Sequence, residues 1–288
     1  MDEKEERRAV QSEEFNFVSF ASDRAYREAN RGLIAKALAL LPSRFFHVDV
    51  ASGTGLVPQE VCALCQEQGK SGTIIGVDPD RFALESARQL TRPGPNCVVE
   101  FVQGMAQDLI HLLAGKIPPE GVDYTSIHDA IHEIRGEEDK RGVIAAMARI
   151  LKPGGIFTYN SAFTAIAMDE APMDWGRLKA KAFAILGGKR DRQKLAIKIH
   201  TPEQYRQMIV DAGLAVIYEA RRVVRLPRTA MEAIGRYPAF IEGVFGDMVG
   251  TERVSLEEKS RAILAAIEAL DFSDIPRVWH EIMAQLQP

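Results

Sequence analysis

The sequence predicts an α/β fold built on a doubly wound, mostly parallel sheet of six or seven strands. Two observations carry that prediction. Short apolar runs alternate with segments of helical periodicity between residues 43 and 228, and one of these runs, His47-Val-Asp-Val-Ala-Ser-Gly-Thr-Gly55, empties directly into a glycine turn. Buried strands separated by helices imply a parallel sheet covered on both faces. The chain then divides into a polar N-terminus expected to be mobile (1–14), a helical cap (15–42), the core (43–228) with a helical lid insertion (161–200), and a helical C-terminal extension (229–288).

Each element has its own justification. From Phe15 to Leu41 apolar residues fall at helical spacing, Phe20, Leu33, Ile34, Ala37 and Leu38 among them, and Pro42 ends the segment. Strands are predicted at 45–51, 73–78, 97–102, 122–127 and 155–160, with helices at 58–68, 80–90, 105–114 and 137–151 between them. The stretch Asp174–Leu186 reads as a helix within the lid insertion, and Thr201-Pro-Glu-Gln204 as the capped start of another. The run Leu214–Leu226 supplies a sixth strand; a seventh is either missing or hidden in the tail, where Ile263, Leu264, Ile267 and Leu270 repeat at helical spacing.

Ligands of such sheets bind beyond the carboxyl ends of the strands. A glycine turn at a helix mouth lets backbone N–H groups approach a ligand. Twenty-three residues past Gly55, the run Thr73-Ile-Ile-Gly-Val ends on Asp78, placed to accept both hydroxyls of a ribose. The dinucleotide fingerprint needs a third glycine where this chain has Pro58, which disfavours NAD and FAD. The pattern Asp49-x-Ala-Ser-Gly-Thr-Gly55 followed by Asp78 instead resembles the first two motifs of the class I S-adenosylmethionine-dependent methyltransferases, a Rossmann-like family. Three later segments extend the resemblance in the right order: Val98–Leu109, Val122–Ile134 and Ile150-Leu-Lys-Pro-Gly-Gly-Ile-Phe-Thr-Tyr159. The second of these carries His132 where ubiquinone- and menaquinone-type methyltransferases place a similar histidine.

The resemblance implies S-adenosylmethionine as cofactor and S-adenosylhomocysteine as product. It implies a cofactor site of Asp49, Ala51, Ser52, Gly53 and Gly55, with Asp78 and Pro79 at the ribose and Met105 and Ala106 at the adenine. Asp49 approaches the methionine amino group. Asp80 is an alternative helix cap, and Asp108, in place of the family's more common aspartate, an alternative contact to the adenine amino group. His128 is expected against the methionine half of the cofactor. His132 is the candidate general base, since histidine titrates near neutrality, and Tyr159 with Asn160 are candidate hydrogen-bond donors to the acceptor. Phe17, Phe20 and Tyr26 either wall the pocket or pack an apolar face.

Composition narrows the partners. A net charge of −4 gives no general attraction to nucleic acid or anionic membrane, and Asn160-Ser-Ala-Phe163 lacks the prolines of the nucleic-acid amino-methyltransferase motif. No apolar run reaches spanning length and the N-terminus opens on charged residues, so a cytoplasmic address is expected. Three cysteines, with Cys62 and Cys65 as a lone C-x-x-C in a helix, suit neither a disulfide framework nor zinc, and no metal is expected. Between Arg177 and Lys198 eight basic residues (Arg177, Lys179, Lys181, Lys189, Arg190, Arg192, Lys194, Lys198) face one acid, Asp191: either a solvated helix face or a steering patch for an anionic or carrier-bound substrate. The expected partner is a small hydrophobic or aromatic metabolite methylated on oxygen or carbon. The helical extensions are candidates for a homodimer contact, and a cofactor-binding regulator without chemistry is the alternative from another class.

Overall fold

The computed structural model describes residues 17–134, 136–163, 165, 167, 168, 171–191, 200–250 and 253–287. The chain forms two compact units, each assembled from separate stretches of sequence. One comprises Arg27–Ala162, His200–Arg222 and Trp279–Pro288; the other Met1–Tyr26, Phe163–Ile199 and Val223–Val278.

The first unit holds the predicted alternation. Strands β1 (Arg44–Val50), β2 (Ser71–Asp78), β3 (Cys97–Gln103), β4 (Val122–His128) and β5 (Leu151–Phe163) lie within a residue or two of expectation at most ends, β5 starting earlier and running on through Phe163. Helices Arg24–Leu40, Leu56–Gln68, Arg81–Leu90 and Glu137–Ile150 alternate with them and are called α2, α3, α4 and α6. Segment 105–114, expected to be a helix, is instead a 3-10 turn at Ala106–Asp108 followed by the one-turn helix α5 (Leu109–Leu112). Only Leu109 and Leu113 are fully buried there, and Ile110 is exposed.

Parallel pairing joins β1 to β2 and β4, β2 to β3, and β4 to β5. The complete order is β3-β2-β1-β4-β5-β9-β7, where β7 is Leu214–Pro227 and β9 is Asp274–Leu286; β6 (Lys189–Arg190) and β8 (Met248–Val249) pair antiparallel as a separate two-stranded sheet. The seventh strand is therefore present and lies in the C-terminal extension, the second of the two alternatives the sequence left open. Tyr218 meets Glu281, Glu219 meets His280 and Arg225 meets Asp274, so β7 and β9 run in opposite directions. One apolar layer packs α2 and α3 onto the sheet through Leu33, Ile34, Leu38, Val61, Ile74 and Tyr124. All three cysteines are buried in that layer, as the packed-face reading expects. Thr201 caps α8 (Pro202–Asp211), its hydroxyl accepting from the Gln204 N–H while the Gln204 side chain accepts from the Thr201 N–H.

The second unit is mostly helical. Its longer members are α7 (Asp174–Ile185), α10 (Pro238–Phe245) and α11 (Leu256–Leu270), preceded by α1 (Val18–Ala21) and α9 (Arg228–Ile234). Ile263 and Ile267 bury the predicted stripe of α11. Phe17, Phe20 and Tyr26 pack on one another at tilted and edge-on angles, and Phe17 also meets Tyr237, 5.1 Å between ring centres: apolar packing within this unit. The basic run is partly committed here. Lys179 Nζ lies 2.6 Å from Asp247, Arg190 Nε 3.3 Å from the same carboxylate, and Arg177 pairs with Asp174. Arg192, Lys194 and Lys198 fall outside the described residues. Among the described residues no helix is long and apolar enough to cross a membrane.

Candidate active site at the carboxyl edge of the sheet

β1, β2 and β4 end side by side, and the residues that follow each strand carry the candidate chemistry. After β1 the chain turns through Ala51 at φ 55°, Gly53 at φ 51° and Gly55 at φ 81°, all in the left-handed region. For Ala51 this is a sparsely populated conformation, held here because the Ser52 N–H donates to the Val77 carbonyl and the Gly55 N–H to the Ser52 carbonyl. Gly55 has no room for a side chain: a Cβ would sit 3.0 Å from Ala87 and 3.2 Å from Phe101. At Gly53 nothing lies within 4 Å of that position, so the backbone there is open to a ligand.

Asp78 closes this turn from the tip of β2. Its Oδ2 accepts from the Gly53 N–H and its Oδ1 from the Asp80 N–H, each at 2.8 Å. Burial raises its pKa, and the two backbone donors oppose that rise. Each oxygen retains acceptor capacity for a ribose hydroxyl. Asp80 is the cap of α4, accepting from the N–H groups of Phe82 and Ala83. Past the end of β3 Met105 is half exposed, and Ala106 opens the short 3-10 turn.

Asp49 lies one layer deeper. Its Oδ1 accepts from the Ser126 hydroxyl at 2.6 Å, and Ser126 in turn lies 2.8 Å from His47 Nε2. Its Oδ2 is buried without a hydrogen-bond partner. Burial raises the Asp49 pKa to about 7. An orphaned carboxylate oxygen beneath an open glycine turn suits an ammonium group, which is the donor the methionine half of S-adenosylmethionine presents. The residues present therefore fit that cofactor.

That geometry sets a pH dependence. A carboxyl whose folded pKa lies above its unfolded value stabilises the fold at acid pH, and the contribution is lost as pH rises through about 7. Asp49→Asn removes the buried charge and keeps an oxygen for Ser126. The ligand-free variant is expected to melt several degrees above the wild type at pH 8 and close to it at pH 5. An equal difference at both values would mean that Asp49 does not titrate in this range.

At β4 the sequence expectations divide. His128 is buried: Nδ1 lies 3.2 Å from Asn30 Oδ1 and Nε2 2.9 Å from Thr158 Oγ1. Burial lowers its pKa to about 3, so the ring is neutral and both nitrogens are engaged. Asn30 also accepts from Asn160 Nδ2, and Asn160 Oδ1 accepts from the Asp129 N–H at 2.9 Å. His128 and Asn160 thus belong to an internal network that holds Asp129 at φ 49°. Tyr159, expected at the reactive edge, is fully buried against Tyr205 and His280, and burial pushes its phenol well above its usual range. Strand alternation decides this: Tyr159 points into the core layer. His132, by contrast, is exposed on a 3-10 turn (Ile131–Glu133), with Nδ1 3.2 Å from Ser161 Oγ.

Three residues that sequence reasoning missed enter here. Asn30 is a buried amide on an otherwise apolar helix face, a signal visible in the sequence. Asp129 and Glu133 flank the two histidines, but only the turn geometry distinguishes them from solvated charges. Glu133 lies on the outer side of the turn, and desolvation together with the charges of Asp129 and Asp78 raises its pKa to about 7. Among the described residues no group of three or more His, Cys, Asp or Glu is arranged to hold a metal.

A glycine turn closed by a carboxylate on the neighbouring strand, at the carboxyl edge of a seven-stranded sheet, defines a nucleoside-cofactor-binding α/β domain. Comparison with known proteins makes this specific. The methyltransferase-domain family matches residues 48–155. The ubiquinone/menaquinone biosynthesis C-methyltransferase UbiE of Francisella tularensis subsp. novicida is 31% identical over 109 residues, 38% of this chain and 39% of that protein, so the match spans about two fifths of the relative's length. The structure of the N-methyltransferase NodS from Bradyrhizobium japonicum with S-adenosyl-L-homocysteine aligns over 99% of this chain and 98% of that one, at TM-score 0.53 and 10% identity. The [4+2]-cyclase SpnF aligns over 91% and 81%, at TM-score 0.53 and 17% identity. At such identities the two structures show a shared fold and nothing finer. Over residues 48–155 the chain is similar to methyltransferase domains, and the match covers less than half of its length.

Proposed function

We propose that the protein binds S-adenosylmethionine and transfers its methyl group to oxygen or carbon of a small, hydrophobic or aromatic metabolite. The observation that carries the reading is the pair of carboxylates, Asp49 and Asp78, held on adjacent strands across one glycine turn. Asp78 takes the ribose hydroxyls and Asp49 the methionine amino group, while Ala51, Ser52 and Gly53 offer backbone to the ligand and Gly55 keeps the turn tight. Pro79, Met105 and Ala106 line the base. Bound there, the cofactor supplies an electrophilic methyl group on a sulfonium whose leaving thioether needs no acid. The chain's own work is positioning and exclusion of water. His132, anchored on Ser161, faces the acceptor from the end of β4. A substrate recruited through the basic run is disfavoured, because Lys179 and Arg190 are already paired with Asp247.

Calorimetric titration with S-adenosylmethionine and with S-adenosylhomocysteine tests the cofactor, and transfer of labelled methyl to candidate acceptors tests turnover. Asp78→Ala is expected to weaken both ligands by about 1–3 kcal/mol, roughly 5- to 150-fold, through lost charge-assisted hydrogen bonds. Affinities unchanged in that variant would remove Asp78 from the site.

A further inference from the structure

Next to the candidate cofactor site, β1, β4 and β5 bring a run of polar side chains together on one face of the sheet, where Asn30 of α2 meets them. In the pairing of β1 with β4, His47 stands beside Tyr124 and Asp49 beside Ser126. Asn30, His47, Tyr124, Ser126 and Thr158 are all fully buried. Buried polar groups are costly unless their hydrogen bonds are made, and counting donors fixes the direction of each bond here. Asn30 Oδ1 can only accept, so His128 carries its proton on Nδ1 and leaves Nε2 bare. Thr158 therefore donates to that nitrogen, and Tyr124 donates to Thr158 at 2.8 Å. Tyr124 is in turn stacked on His47, with 4.1 Å between ring centres and 15° between planes.

The same count extends to Asp49. Ser126 has one hydroxyl hydrogen and gives it to Asp49 Oδ1 at 2.6 Å. His47 Nε2, 2.8 Å from Ser126 Oγ, is then the donor to that oxygen. The other ring nitrogen, Nδ1, is buried without a partner, a place that suits a bare lone pair better than an N–H. Burial, with His128 nearby, keeps the His47 ring neutral.

We infer that His47 is a positioning residue for the cofactor: its N–H fills the acceptor side of Ser126 and so holds Asp49 as the carboxylate that meets the cofactor's ammonium group. The inference rests on the cofactor reading above and deepens it. With the His47 donor in place, a proton on Asp49 finds no acceptor at Ser126. Without it, Ser126 is free to reverse and accept that proton. The neutral acid is then stabilised, and its attraction for an ammonium group is lost. The other ionisable groups that face Asp49 are Asp78, from β2, and Tyr124, from β4. Both stay in place when residue 47 alone is changed.

The test separates the donor from the ring. His47→Phe keeps a ring against Tyr124 and removes the N–H, whereas His47→Gln removes the ring and keeps an N–H at similar reach. Each is titrated by calorimetry with S-adenosylhomocysteine, which carries the amino group, and with methylthioadenosine, which keeps the adenosine and lacks the amino acid. In His47→Phe the affinity for S-adenosylhomocysteine is expected to fall about tenfold at pH 6 and to return within about twofold of wild type at pH 9. Affinity for methylthioadenosine should stay within about twofold at both values, and His47→Gln should hold both ligands within about threefold of wild type. No loss at pH 6, equal losses for the two ligands, a loss that does not narrow with pH, or His47→Gln as weak as His47→Phe would overturn the inference. An NMR spectrum of the imidazole nitrogens checks it without any substitution. His47 is expected as the neutral Nε2–H tautomer from pH 6 to 8, and an Nδ1–H or titrating ring would also overturn it. Failure of the wild type to bind either ligand would instead overturn the cofactor reading on which it rests.

Discussion

Asp247→Ala is expected to lower stability by about 3–5 kcal/mol. Asp247 is 3% exposed and receives Lys179 at 2.6 Å and Arg190 at 3.3 Å, while its backbone carbonyl accepts from the Asp191 N–H at 2.7 Å. Truncation leaves the buried Lys179 ammonium without this counter-charge, and desolvation makes that costly. The chain's two tryptophans allow the effect to be localised. Trp175 packs at a tilt against Phe240 and under Arg277 in the mostly helical unit, whereas Trp279 lies in the other. In a Trp279→Phe background, the urea midpoint read from Trp175 fluorescence should fall steeply on adding Asp247→Ala. A loss below about 1 kcal/mol would show the cluster to be solvated and return the basic run to consideration as a docking patch.

Trp279→Ala should cost a similar 3–5 kcal/mol for a different reason. Trp279 is fully buried on β9, the strand between β5 and β7, and its removal leaves a large cavity in the packing of that strand. Trp279→Phe fills most of that volume and is expected to cost less than half as much. Equal losses for the two variants would show that volume is not what the site requires. Circular dichroism with urea gives both values.

Much of this architecture is legible in the chain because its first five strands are short apolar runs with turn residues at both ends. β9 is not legible for a physical reason. Its sequence, Asp-Ile-Pro-Arg-Val-Trp-His-Glu-Ile-Met, mixes proline and charges into the run. His280 and Glu281 are nonetheless buried, the first against Glu219 and the second against Arg222. Those partners lie some sixty residues earlier, so nothing local announces that the charges are paired. The candidate site divides in the same way. Asp49, Gly53, Gly55 and Asp78 follow from strand ends and spacing. His128 and Tyr159 could be placed at the right strands but not on the right face, because which side of a buried strand points to solvent depends on the layer packed against it.

The place of β9 has a further consequence, in time rather than in space. β7 joins the sheet only through β9, so a nascent chain that has completed β7 still has no partner for it. Closing that gap brings together segments far apart in sequence, which makes it a slow, late event. Until the final strand arrives, β5 and β7 each present an unpaired edge, the kind of surface that chains in the act of folding offer to one another. Conditions that slow the completion of the chain, or mutations that weaken β9, should therefore show first as lost yield of folded protein and only later as lost affinity for the cofactor.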